Sequence, residues 1–261
     1  MTSITIKSFM KTKNERVTLS LNNLIDKDIQ SMLLPLNLMQ NIVLCPKYRI
    51  RNNVIYPKTR TSNFVSLCAM IISISIFFHY VYELHSDELT RNYFNVMYIF
   101  SYGDLILYSI GFIMNYVVCV SQVKNNICLV LKIQDVHRFL NEKSQFKCFV
   151  IWNWISSILL FSFYIIIITL TNLYVGLSVT FCVGGFIIIS FDANIVYVNR
   201  LFVLLYNKTI LWNIQARSLQ QMDRSDKDTF SKLMFEAYVN ILESYNLCKT
   251  SFQHMVRMFI F

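Results

Sequence analysis

Four apolar runs govern what this chain can become: SNFVSLCAMIISISIFFHYVY (62–82), FNVMYIFSYGDLILYSIGFIMNYVVCV (94–120), CFVIWNWISSILLFSFYIIIITLTNLYV (148–175) and LSVTFCVGGFIIISFDANIVYVNRLFVLLY (177–206). Each reaches the roughly 20 residues that a helix needs to cross a hydrocarbon core. Asp104, Asp192 and Arg200 are the only formal charges inside them. Lipid offers backbone groups no partner, so continuous helices are expected. Composition agrees: 15% of residues are charged, against about 25% in ordinary globular domains. The expected fold class is all-α, a polytopic membrane bundle of four transmembrane helices.

Lys and Arg alternate across these runs. Residues 1–61 hold ten, the 83–93 connection one (Arg91, against Glu83, Asp87 and Glu88), the 121–147 connection five and the tail 207–261 seven. The third and fourth runs are joined without charge. This asymmetry predicts a cytoplasmic N-terminus, a cytoplasmic 121–147 connection and tail, and two short external connections. The net charge of +9 then follows from topology, and no basic-aromatic nucleic-acid motif accompanies it. NKT (207–209) matches a glycosylation acceptor, but it falls on the cytoplasmic side and is expected to stay unmodified. MTSITIKSFMKTKNERVTLS (1–20) has no apolar core of signal-peptide type.

Three further segments carry apolar residues at shorter range. SMLLPLNLMQNIVL (31–44) is interrupted by Pro35, Asn37, Gln40 and Asn41; a buried or interfacial helix, or a re-entrant half-span, is expected. ICLVLKIQDVHRFLN (127–141) has the spacing of an amphipathic helix that continues the second span inward. SKLMFEAYVNILESYNLCKTSFQHM (231–255) reads likewise, with Phe235, Tyr238, Ile241, Leu242, Tyr245, Cys248 and Phe252 close to helical period. A polar hinge, NIQARSLQQMDRSDKD (213–228), is expected before it. The domains are therefore 1–61, a cytoplasmic N-terminal region with a short membrane-associated helix; 62–206, the four-span domain; and 207–261, a cytoplasmic tail with its helix.

Signals for catalysis are absent. His79, His85, His137 and His254 are isolated, without metal-ligand spacing, and no phosphate-binding or nucleophile-elbow motif occurs. No enzyme activity and no cofactor are expected. The seven cysteines form no CxxC pair and read as small apolar residues. Asp104 and Asp192 are the stronger clues, because a charge in the hydrocarbon core is costly and faces a bundle interior or a watery cavity. They read either as part of a ligand pocket or ion path, or as a polar contact between helices. Arg200 is expected to snorkel to the inner surface. Tyr98, Tyr102, Tyr164, Thr169 and Thr180 fall in the outer halves of runs two to four, where aromatics and hydroxyls suit a small, mostly apolar ligand. The candidate ligand-binding set is Tyr98, Asp104, Tyr164, Thr169 and Asp192. Trp152 and Trp154 have the position of an interfacial belt.

SMLLPLNLMQNIVLCPKYRIRNNVIYPKT (31–59), followed by a first span, resembles the N-terminal region of insect gustatory receptors, particularly those of moths and butterflies. VLKIQDVHRFLN (130–141) and FEAYVNILESYNLCKTSFQ (235–253) are similar to later segments of those receptors, in the same order and spacing. The resemblance implies a seven-helix receptor with an intracellular N-terminus, unrelated to G-protein-coupled receptors. It implies assembly into homo- or hetero-tetramers that act as ligand-gated cation channels in the plasma membrane. Helices two to six would shape a pocket for a small tastant, a bitter plant compound rather than a sugar, and the seventh would line the pore with a Thr-Tyr…Gln-Phe signature. This sequence contains no Thr-Tyr dipeptide. On that comparison, FQHMVRMFIF (252–261) is expected to be the lead-in to a fifth span lying beyond the sequence given. A non-channel four-span adaptor or regulatory subunit is the alternative expectation.

Overall fold

Three of the apolar runs fold as helices longer than the runs themselves, and the second as a helix of the same length. In the computed structural model, which describes residues 23–86, 95–140, 143–175, 179–218 and 224–260, the chain begins with α1 (Lys27–Ile42) and a hairpin of β1 (Arg49–Arg51) and β2 (Val54–Tyr56). Then follow α2 (Arg60–Ser86), α3 (Asn95–Ser121), α4 (Val123–Phe139), α5 (Lys143–Val175), α6 (Val179–Ser218) and α7 (Arg224–Ile260). Helices α2, α3, α5 and α6 each contain a window long and apolar enough to cross a membrane. They coincide with the four expected spans.

Burial ranks these four. Of its apolar window, α6 buries 44%, against 33% in α3, 17% in α2 and 11% in α5. Thus α6 is the central post and α5 the most peripheral helix. Phe64, Ile71, Ile72 and Phe78 of α2 and Ile158, Leu159, Phe163 and Ile166 of α5 are exposed. Apolar surface on this scale suits lipid rather than water. Ring contacts of Phe77 with Tyr108 and Phe112 set α2 antiparallel to α3, and Tyr164 with Asp192 sets α5 antiparallel to α6.

Between apolar helices in lipid, burial drives little association, and polar contacts and close packing take over. Asn194 Nδ2 donates to Asn115 Oδ1 at 2.9 Å, joining α6 to α3. Gln40 Nε2 donates to the Ala193 carbonyl at 3.1 Å, joining α1 to α6. Asn153 Nδ2 donates to the Met32 carbonyl at 2.9 Å, joining α5 to α1.

The short apolar stretch forms a helix, α1, that buries one face and leaves Leu34, Leu38 and Ile42 exposed on the other. Ile29, Met32, Leu33, Leu36 and Met39 are sequestered in the main core with Tyr48, Ile55, Leu129, Ile133, Tyr197, Leu201 and Phe252. Pro35 lies inside the helix, at a cost of roughly 3 kcal/mol or more. Five sequestered apolar side chains return about 1.5–3 kcal/mol each, so the helix survives its proline.

The hairpin has a two-residue turn, Asn52–Asn53, with Arg51 paired to Val54 and Arg49 to Tyr56. Both asparagines have positive φ, 53° and 60°. That is the backbone a right-twisted two-residue turn requires, and asparagine tolerates it. Backbone bonds from Ile25 N to the Asn53 carbonyl (2.7 Å) and from Ile55 N to the Asn23 carbonyl (3.0 Å) stitch the segment before α1 onto this turn.

One expectation needs correction. The hinge at 213–228 is helical over 213–218 and again from 224, with 219–223 outside the described residues. In α7 the buried stripe is Met234, Ala237, Ile241, Ser244, Cys248, Ser251 and Phe252, while Phe235, Tyr238, Leu242 and Tyr245 are exposed. The small residues of this stripe let α7 approach its neighbours closely, and the large side chains are turned to its flanks. Residues 1–22 of the expected N-terminal region lie outside the described residues.

Candidate ligand site

Tyr164 and Asp192 meet. The Tyr164 hydroxyl donates to Asp192 Oδ2 at 2.5 Å, linking α5 to α6, and both side chains are half-buried. Their spacing follows from helix geometry: each is on the flank of its helix facing the other. On the neighbouring flank of α6, Phe191 is buried and stacks on Phe112 (centroids 4.8 Å) and Tyr108 (5.8 Å) of α3. Tyr108 also lies 4.9 Å from Phe77 of α2. Asp104 lies one helical turn before Tyr108 on α3, and Asp192 follows Phe191 on α6. The result is an aromatic cluster drawn from α2, α3 and α6, with Asp104 and the Tyr164–Asp192 pair at its edges.

The approach of α6 to α3 depends on Gly111. A Cβ built there would stand 2.7 Å from Phe191 Cε1 and 2.9 Å from Cζ. No real Cβ contact is that short, so glycine is what admits the Phe191 ring.

Below this cluster is a cavity of about 250 Å³, walled by α2, α3, α6 and the segment after α1. Phe112 belongs to both the cluster and the cavity wall. Met70, Ile76, Phe112 and Ile187 supply apolar lining, while Ser66, Ser73, Asn115, Tyr116 and Ser190 supply polar groups. Among the described residues the buried Ser190 Oγ has no hydrogen-bond partner, a donor free for a guest. A small apolar ligand with one or two polar groups matches this lining.

The five expected residues divide. Asp192, Tyr164 and Asp104 gather around Tyr108, with Asp104 exposed. Thr169 is exposed, and its hydroxyl donates to its own helix at the Ile165 carbonyl, 2.7 Å away. The side chain of Tyr98 lies outside the described residues, as does that of Thr180. None of the other four lines the cavity. Reading by charge and hydroxyl did not point to the cavity walls, because Phe112, Ile187 and Met70 are indistinguishable in sequence from lipid-facing neighbours.

Arg200 does not snorkel. Its Nε donates to Asn153 Oδ1 at 2.7 Å and its guanidinium lies 4.7 Å from the Phe149 ring centre. Asn153 is fully buried and bonds Met32 at the same time, so one asparagine ties α1, α5 and α6 together. Farther along α6, the buried Lys208 Nζ donates to the Leu140 carbonyl at 2.6 Å and contacts His137 Nδ1 at 3.1 Å. Burial, and then the Lys208 charge, hold the His137 imidazolium pKa down to about 4.

Among the described residues no group of three or more His, Cys, Asp or Glu is placed to hold a metal ion. The fold and the site define a helical bundle with four helices able to span a bilayer, and a mainly apolar pocket walled by three of them and the segment after α1. No family model, no curated protein and no solved structure matches the chain.

Proposed function

We propose that this chain is a chemoreceptor subunit of the insect gustatory type: a multi-pass protein of the plasma membrane, N-terminus in the cytoplasm, that gates a cation conductance on binding a small tastant. A bitter plant compound suits the pocket better than a sugar, because the 250 Å³ cavity has mainly apolar walls. One observation carries the reading. Four apolar helices bring together a cavity, an aromatic cluster and a tyrosine–carboxylate pair, in a chain whose segments 31–59, 130–141 and 235–253 resemble those receptors in order. Binding at the cavity would be felt by Phe112, then Phe191, then the Asp192–Tyr164 link between α6 and α5. The exposed flank of α7, with Phe235, Tyr238, Leu242 and Tyr245, supports packing against further subunits of a homo- or hetero-tetramer.

The test is ligand-evoked calcium entry in cells expressing the receptor, with surface expression measured in parallel. Ser190→Phe, which fills the cavity, and Tyr164→Phe, which removes the hydroxyl donor, should each shift the dose–response curve to higher ligand at normal surface expression. Unchanged curves for both variants would remove the cavity and its rim from ligand recognition.

A further inference from the structure

Cys45 and Cys119 were read from the sequence as apolar packing, and the structure places them otherwise. Their sulfurs are 2.7 Å apart, although they are 74 positions apart in the chain. Cys45 sits in the segment between α1 and the hairpin, Cys119 near the end of α3, and both are buried. Lys47 is 1% exposed, its Nζ 3.6 Å from Cys119 Sγ and 5.3 Å from the Phe252 ring centre. The charge of Lys58 also reaches both thiols, and its buried Nζ has no hydrogen-bond partner. No carboxylate pairs with Lys47 or Lys58 among the described residues. A buried ammonium requires a counter-charge, and the sulfur pair is the group placed to supply it.

We propose that Cys45 and Cys119 form a redox-sensitive thiol pair that a hydroperoxide converts to a disulfide, locking the segment after α1 to the end of α3. Thiolate is the reactive form of cysteine, and neighbouring cations favour it. Access is through the cavity, whose wall includes Cys45 and Asn115; its apolar lining suits a lipid-soluble hydroperoxide. The pair begins with one thiolate and one thiol. The thiolate sulfur attacks the terminal oxygen of ROOH, the O–O bond breaks, and the alkoxide takes the thiol proton and leaves as alcohol. The second sulfur, now a thiolate, attacks the sulfenic sulfur and expels hydroxide, which takes a proton from the Lys47 ammonium, now without its counter-charge, and leaves as water. Two thiols have lost two electrons and the hydroperoxide has gained them. The new bond closes a covalent loop across the main core, and it is reversed by a dithiol reductant.

The experiment treats membranes containing the full chain with cumene hydroperoxide, blocks remaining thiols in denaturant, and maps linked peptides by mass spectrometry. The expected product is a Cys45–Cys119 linkage that dithiothreitol abolishes. Cys148, which is exposed, reports that the oxidant was delivered. Lys47→Met should slow linkage, because it removes the cation nearest the pair. Oxidation of Cys148 with Cys45 and Cys119 both recovered as free thiols would overturn the proposal, as would a Lys47→Met chain that links at the wild-type rate. The wild-type mapping needs no variant to fold.

Discussion

His137 shows how a residue unremarkable in sequence becomes a determinant of stability. Its Nδ1 meets a buried lysine, so the neutral imidazole is the form the fold holds, with a pKa of about 4 against the ordinary 6.5. As pH falls, the unfolded chain binds the proton first. The stability this site contributes is therefore complete above pH 6.5 and is lost progressively as pH falls toward 4. Asp26 acts in a separate window. Its bidentate bond from Arg138 (2.7 and 2.9 Å) holds its carboxyl below the ordinary 3.8, so its part is lost only in stronger acid; solvent screening keeps that part small. Thermal unfolding in detergent should thus show melting temperature falling from neutral pH to pH 4, with a flatter profile for His137→Gln. A profile unaffected by that substitution would remove His137 as the cause. Asn153→Leu should be more severe. It removes the side-chain bonds to the Met32 carbonyl and to Arg200 Nε together, at roughly 0.5–1.5 kcal/mol for a typical bond and more for one to a charged group, and the melting temperature measures it. Neither residue was legible beforehand: an asparagine or histidine in sequence carries no sign of the partner that tertiary packing will bring.

At the scale of elements, legibility followed periodicity. The four long apolar runs were readable because their signal is length, and the helices containing α4 and α7 because their apolar residues recur at helical spacing. The spacing in α7 marked the helix but not which flank packs; Ala237, Ser244 and Ser251 are buried, and Phe235 and Tyr245 are not. The hairpin was passed over although RIRNNVIY carries its signal, an Asn-Asn pair between alternating apolar residues. Two substitutions test these elements. Asn53→Val should destabilise the hairpin by roughly 1–2 kcal/mol, the penalty of a left-handed backbone for a branched residue, whereas Asn53→Gly should be tolerated; their melting temperatures decide. Gly111→Ala should displace the Phe191 ring rather than any backbone, so it is expected to alter ligand response more than surface expression. If it abolishes expression with no folded protein detectable, the α3–α6 approach is too rigid for Phe191 to act as a transmitting contact.

For the whole molecule, the account depends on four helices crossing a bilayer with the hairpin, α4 and α7 on the cytoplasmic side. The Lys and Arg alternation, ten, one, five, none and seven across successive connections and tails, supports that orientation. The exposed apolar surface of α2 and α5, which water would not tolerate on a monomer, supports the crossing itself and not its direction. Epitope tags decide it most directly: one at the N-terminus, one within the 87–94 connection and one after residue 261, stained in intact and in permeabilised cells. The account predicts that the 87–94 tag stains intact cells, that both terminal tags stain only after permeabilisation, and that Asn207 carries no glycan. A terminal tag exposed on intact cells, or a glycan at Asn207, would contradict it.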